Sequence, residues 1–215
     1  MVHHLSEDPR SFYERCQKTA STIHERKGFP VFIGGDHSIS APLIRACREK
    51  HENLTLIHFD AHTDLADWDT TTNHHHGNVM SRVLHENPEL EIYQFGIRGF
   101  AGAPFNSTRC HVAGQREINT DINGVISRIP QDRTCYISLD IDVIDPSLAP
   151  GTGTPVPMGM IPTTLLRLME TIIRRNHIVG IDIVELCPCR DREDMTTSLA
   201  FHLLMCILHW IHDSP

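Results

Sequence analysis

At 215 residues and 24.4 kDa, 40% hydrophobic and 21% charged, the chain has the size and composition of a single soluble globular domain spanning 1–215. A net charge of −8, from 27 acidic and 19 basic residues, argues against a nucleic-acid or anionic-membrane binder, whose footprint would be basic. No run of about 18 apolar residues and no basic-then-apolar leader is readable, and seven scattered cysteines fit a reducing compartment, so no membrane partner and a cytoplasmic setting are expected.

Along the chain, short apolar runs alternate with amphipathic stretches. Phe12, Cys16, Ala20 and Ile23 recur about once per turn and predict a first helix. Val31–Ile33 reads as a strand. Ile39, Leu43, Ile44 and Cys47 mark a second helix, with Ser38 or Ser40 available as its cap and Pro42 tolerable in its first turn. Leu54–Phe59 is a strand, Val79, Val83 and Leu84 a short helix, and Ile92–Ile97 a strand. A weaker strand lies near His111–Val112, and Ile122, Val125, Ile126 and Ile129 make another short helix. Thr134–Ile141 is a strand, Leu165 to Ile173 a strong helix behind Pro162, and Val179–Val184 the last strand. Leu199, Leu203, Cys206, Ile207 and Trp210 end the chain as a helix behind a Thr196-Thr197-Ser198 cap. Strands apolar on both faces and alternating with helices predict an α/β fold with a mainly parallel sheet covered on both sides, a three-layer α-β-α arrangement. Ligands bind such sheets at the carboxyl ends of the strands.

Those ends carry the chemistry. The first strand runs into Gly34-Gly35-Asp36-His37-Ser38, where His37 is either an ordinary turn histidine or a ligand. The second runs into Asp60-Ala61-His62-Thr63-Asp64, and an extended backbone would place Asp60, His62 and Asp64 on one face. Past Leu139, Asp140 and Asp142 alternate opposite Leu139 and Ile141, and Pro150-Gly151-Thr152-Gly153-Thr154-Pro155 makes a rigid loop at the same end. Glu185 is the first acid after the last strand, and taken alone it reads as a surface glutamate. Four aspartates and two histidines fall at three strand ends of one sheet, and four carboxylates brought together there would be untenable without cations. Two divalent cations balance four negative charges. Oxygen and nitrogen donors without thiolate favour Mn²⁺ over a structural zinc. With 16 histidines in the chain, imidazole donors are plentiful.

Together the segments GGDHS, DAHTD, SLDID, GIDIVEL and PGTGTP resemble the ureohydrolases, arginase, agmatinase and their relatives, over about Val31 to Leu208. The resemblance implies two manganese ions. His37, Asp60, Asp64 and Asp140 would hold one, and Asp60, His62, Asp140 and Asp142 the other, with Asp60 and Asp140 bridging. It also implies that His76, before Gly77, shuttles a proton, that Asp64 helps orient the attacking water, and that Glu185 grips a guanidinium group. His74 and His75 are read as a solvent-exposed loop. The implied reaction is hydrolysis of a small cationic guanidine to urea and an amine, most like agmatine to putrescine. Phe95-Gly96-Ile97-Arg98 and the PGTGTP loop are closer to agmatinase-like members than to arginase. Arginine and guanidino acids remain alternative substrates. Asp67, Asp69, Thr70–Thr72 and Asn73 offer groups for either kind of tail. The family's trimers and hexamers make a homo-oligomer the expected assembly. Relative to the family pattern the chain lacks the usual N-terminal strands. This predicts an exposed edge at Val31–Ile33 and leaves a second reading, a catalytically weak short homologue serving as a binding or regulatory module. Cys187 and Cys189 read as ordinary loop cysteines or as a weak metal or redox pair.

Overall fold

The computed structural model of the protein describes residues 8–67, 75–99 and 108–213. Six strands, β1 (Val31–Ile33), β2 (Leu54–Phe59), β3 (Glu91–Ile97), β4 (Cys110–Gly114), β5 (Thr134–Asp140) and β6 (His177–Val184), form one sheet in the order β1-β6-β5-β2-β3-β4. Every pairing is parallel. The middle of the sheet goes to the runs with the most continuous Ile, Val and Leu, and all six residues of β2 are buried. The weak signal at His111–Val112 is the edge strand β4. Val112 there is 44% exposed, so the strand needs fewer apolar residues and announces itself poorly. At the other edge, among the described residues, β1 pairs with β6 alone, and Ile33 is 61% exposed.

Helices cover both faces. Ala20 of α1 (Pro9–Glu25), Leu43 and Ile44 of α2 (Ser40–Arg48) and Met80 and Val83 of α3 (Val79–Glu86) pack on one face against Leu56, Ile92 and Tyr136. On the other face lie α4 (Gln115–Thr120), α5 (Ile122–Ser127), α6 (Pro162–Arg175) and α7 (Met195–Asp213), whose Ile118, Val125, Leu168, Ile172 and Leu203 meet Ile57, Phe59, Ile137 and Ile181. Helix α4 was not predicted. Its sequence, Gln-Arg-Glu-Ile-Asn-Thr, holds one apolar residue and shows no stripe.

Two cap expectations are corrected. Neither Ser38 nor Ser40 caps the second helix. Asp36 accepts from the Ser38 amide and starts a 3-10 turn, His37–Ile39, that runs directly into α2. At α7 the amides of Thr196 and Thr197 are taken by the Asp191 carboxylate, so Asp191 is the capping group. The Thr196 hydroxyl is committed elsewhere, accepting from Gly151 N–H at 2.7 Å. Against the opposing effect of desolvation, hydrogen bonds from the amides of Thr196, Thr197 and Arg192 hold the Asp191 carboxyl well below the ordinary range.

The helix α7 is long and apolar enough, by length and composition, to cross a membrane, although His202, His209 and His212 break its apolar run. Its Ala200, Leu203, Leu204 and Ile207 are buried in the protein core, while Phe201 and Met205 are exposed on its outer side.

Candidate metal centre and substrate cavity

The strand-end residues converge by turns rather than by strand pleat. After β1 the chain passes Gly34 and Gly35 at φ of +87° and +83°, a region open to glycine and costly for other residues. This folds His37 back over the sheet, where it is fully buried. Past β2 the backbone is not extended, contrary to the simplest reading of Asp60-Ala61-His62-Thr63-Asp64. Asp60 Oδ1 instead accepts from the His62 amide at 2.6 Å, and Asp64 sits at φ +52° with its carbonyl taken by the Met80 amide at 3.0 Å. Likewise β5 ends at Asp140 and not at Ile141. Asp140 Oδ1 caps the 3-10 turn Ile141–Val143 by accepting from Asp142 N–H at 2.8 Å. Asp142 Oδ1 then accepts from the Ala61 amide at 3.0 Å, tying the two loops together.

The result is a tight cluster. His37 Nδ1 lies 3.1 Å from Asp60 Oδ2, 3.1 Å from Asp64 Oδ2 and 3.3 Å from Asp140 Oδ2. His62 Nδ1 lies 2.9 Å from Asp142 Oδ2 and 3.3 Å from Asp60 Oδ1. All six residues expected as ligands are therefore in one place. Ligand atoms of His37, His58, Asp60 and Asp64 fall within 4.8 Å of one another, as do those of Asp60, His62 and Asp142, and either group could hold a metal ion. His58 joins the first group without being one of the residues the motifs point to.

Electrostatics show that the cluster is frustrated by itself. Burial pushes the Asp140 carboxyl well above its ordinary range, and Asp142 and Asp60 push it further. Burial and Asp60 raise Asp142 to about 6. Burial opposes a charge on His37, yet Asp140, Asp60 and Asp64 override it and hold the imidazole well above its usual value. Asp142 and Asp60 raise His62 to about 11. Despite its three carboxylate neighbours, the buried His37 Nδ1 makes no hydrogen bond. Three carboxylate oxygens gathered around one buried imidazole nitrogen call for positive charge at their centre. The donor set, all oxygen and imidazole, fits a divalent cation there.

A second layer supports this cluster. The parallel register sets Gln94, His58, Ser138 and Asp182 side by side across β3, β2, β5 and β6. All four are fully buried. Ser138 Oγ donates to Asp182 Oδ1 at 2.7 Å and lies 2.9 Å from His37 Nε2. Tyr136 donates to the other Asp182 oxygen at 2.8 Å. The sequence signal for this row was available: His58 and Ser138 stand two residues before Asp60 and Asp140, on otherwise apolar strands.

Arg98, at the end of β3, is the strut between the loops. Its guanidinium donates to the carbonyls of Asp142 (2.7 Å), Val143 (3.0 Å) and Val156 (2.8 Å). Arg98→Met is expected to strand those carbonyls and lower stability by about 3 kcal/mol, read as a denaturant midpoint shift.

Above the cluster opens a cavity of about 1170 Å³, lined by His62, Asp64, Asp140, His76, Glu185 and residues of α4 among others. Glu185, at φ +61°, is fastened twice. Its amide donates to the Gly35 carbonyl at 3.0 Å, and its Oε1 accepts from the His37 amide at 2.8 Å. Burial raises its carboxyl, opposed first by the His37 amide bond and then by the nearby His76. His76 is exposed to the cavity, and so is Asp67. His75 is exposed as expected, with its Nδ1 accepting from the Gly77 amide. His74, Asp69, Thr70–Thr72 and Asn73 lie outside the described residues. The Cys187 and Cys189 sulfurs stand 3.3 Å apart, and among the described residues no third ligand joins them.

Comparison with known proteins agrees with this architecture. The arginase family profile matches residues 2–209. The mitochondrial agmatinase of Gallus gallus is 36% identical over 96% of this chain. A crystal structure of a hypothetical agmatinase from Burkholderia thailandensis is 28% identical and superposes with a TM-score of 0.86, covering 98% of this chain and 66% of that one. The proclavaminate amidinohydrolase structure from Streptomyces clavuligerus is 30% identical with a TM-score of 0.83, covering 95% and 71%. The chain spans 64% of the length of the chicken protein. With the profile matched over nearly its whole length and the sheet reproduced, this chain belongs to the arginase family.

Proposed function

We propose that the chain is a manganese-dependent amidinohydrolase that cleaves a guanidine to urea and an amine, with agmatine the favoured substrate and putrescine the product. The observation that carries this reading is the convergence of four carboxylates and two imidazoles on the floor of a cavity that also holds Glu185 and His76. His37, Asp60, Asp64 and Asp140 would hold one cation and Asp60, His62, Asp140 and Asp142 the other. Two such ions supply an activated water and charge neutralisation at the reacting carbon.

The chain's own residues do the rest. Glu185, oriented by the His37 amide, receives the guanidinium and aims its carbon at the cluster. Asp64, fixed by its left-handed backbone and by α3, orients the attacking water through its carboxylate. His76, exposed in the cavity and near Glu185, delivers a proton to the leaving amine. Asp67 offers a carboxylate to the ammonium at the other end of agmatine.

A specific observation supports arginine or a guanidino acid as the second reading. Arg116 of α4 lines the same cavity, exposed, and would meet a carboxylate tail. A cytoplasmic setting is supported by seven cysteines that are all free. A homo-oligomer, trimer or hexamer, is supported by the family resemblance and by the exposed apolar side of α7.

The test is urea release from agmatine, arginine and 4-guanidinobutanoate after manganese loading. Agmatine should be turned over fastest. A chain that holds two ions yet frees no urea from any of the three is the weak-homologue alternative, and the catalytic reading is then lost. Glu185→Gln should keep the metal and lower kcat/KM by about 10–100-fold, mostly through KM, because one charge-assisted contact to the guanidinium is lost.

A further inference from the structure

We propose that His58 is a positioning residue rather than a metal ligand: Gln94 fixes its tautomer, and His58 in turn aims the carboxylate of Asp60. The inference rests on the two-cation reading of the cluster above.

Proximity alone would make His58 a ligand, since its Nε2 lies within reach of His37, Asp60 and Asp64. The hydrogen bonds decide otherwise. Gln94 stands directly opposite His58 in the β2–β3 register. Its Nε2 lies 2.8 Å from the Thr63 carbonyl and 2.9 Å from His58 Nδ1. An amide NH₂ has two protons and no lone pair to offer, so it donates to both. Turning the amide over would set its oxygen against the Thr63 carbonyl oxygen, acceptor facing acceptor. The orientation is held even though Gln94 Oε1 is left buried without a partner.

The consequence passes through the ring. With Nδ1 accepting, neutral His58 carries its proton on Nε2, and this proton points at Asp60 Oδ2, 2.9 Å away. A nitrogen that carries a proton has no lone pair for a cation. Asp60 is thereby held at both oxygens, Oδ2 by His58 and Oδ1 by the His62 amide. Asp60 is, with Asp140, one of the two carboxylates that the two-cation reading shares between both ions, so its rotation bears on both sites at once. The same Gln94 amide also tethers the Thr63 carbonyl, between His62 and Asp64, so one side chain sets both the bridging carboxylate and the loop that carries two further donors.

Two measurements test this. In the metal-free, ¹⁵N-labelled full chain, long-range ¹H–¹⁵N correlation should show His58 protonated on Nε2 and bare on Nδ1. The His58→Gln variant identifies the signal by its disappearance. In Gln94→Leu that tautomer should lose its dominance. A wild-type ring protonated on Nδ1, with the Nε2 lone pair toward Asp60, overturns the inference. The second measurement is manganese titration with stoichiometry read by elemental analysis. His58→Phe should still bind two ions, with affinity weakened about 10–100-fold. His58→Gln, whose amide accepts from Gln94 and donates to Asp60, should recover most of that loss. Loss of one ion in both variants means that His58 is a ligand, and unchanged affinity in His58→Phe means that it aims nothing; either result overturns the proposal. If His58→Phe does not fold, His58→Gln and Gln94→Leu carry the titration. A wild-type chain that binds no manganese refutes the two-cation reading, while the tautomer measurement still decides this one.

Discussion

Asp140→Asn is expected to abolish loading of the second manganese ion and to cut urea release by on the order of 1000-fold, because metal-borne charge stabilisation is worth several kcal/mol and each ~1.4 kcal/mol is a factor of ten in rate. The variant keeps the shape and the turn-capping oxygen that accepts from Asp142 N–H, but not the charge. The stability of the metal-free chain should move the other way. Burial, Asp142 and Asp60 raise the Asp140 carboxyl well above its unfolded value. A group raised in this way contributes its stability below the unfolded carboxylate value and loses it as pH rises. Metal-free wild type should therefore lose stability relative to Asp140→Asn as pH is raised from about 4 toward neutrality. Gain of metal-free stability with loss of metal and turnover identifies a functional charge. Urea denaturation at several pH values, beside manganese stoichiometry, checks both. An Asp140→Asn enzyme with unchanged turnover contradicts the site.

Withdrawing divalent metal with a chelator should lower the melting temperature of the wild type by roughly 5–10 °C for each ion removed, relative to protein at about 100 times the dissociation constant, since binding one ion at that excess adds about 2.7 kcal/mol and a domain of this size shifts about 2–4 °C per kcal/mol. The shift should shrink on acidification. His37 and His62, whose imidazoles are held high by their carboxylate neighbours, and Asp142, raised to about 6, must give up protons before a cation enters. Metal uptake should thus release protons, and apparent affinity should rise with pH. Calorimetry in two buffers of different ionisation enthalpy reads the proton count directly. Uptake without proton release would place the ions elsewhere.

Which features could be read in advance follows from what each one depends on. The buried strands announced themselves because a sheet covered on both faces needs continuous apolar runs, and β2, β5 and β6 have them. Edge strand β4 and helix α4 were faint or absent because half of each faces water, where apolar patterning is not required. That these acids and histidines would gather in one place was legible because carboxylates following buried strands cannot stay together unpaired, but the backbone route by which they converge differs from the one expected. An alternating strand was expected, whereas Asx turns at Asp60 and Asp140 and a left-handed Asp64 bring the side chains together. Periodicity describes extended and helical backbone only; a side chain bonding to its own neighbouring amide breaks the period locally.

The sequence by itself determined the layer order, the parallel sheet and the residues gathered at its carboxyl end, since each depends on local hydrophobic pattern and on charges that cannot stay unpaired. The partners of those residues came only with the tertiary structure. Gln94 meets His58, and Ser138 meets Asp182, through the register between strands far apart in the chain, and Arg98 meets the carbonyls of residues 142, 143 and 156 across loops. A hydrogen bond depends on atoms within about 3 Å, and no pattern along one strand fixes which residue of another will stand at that distance.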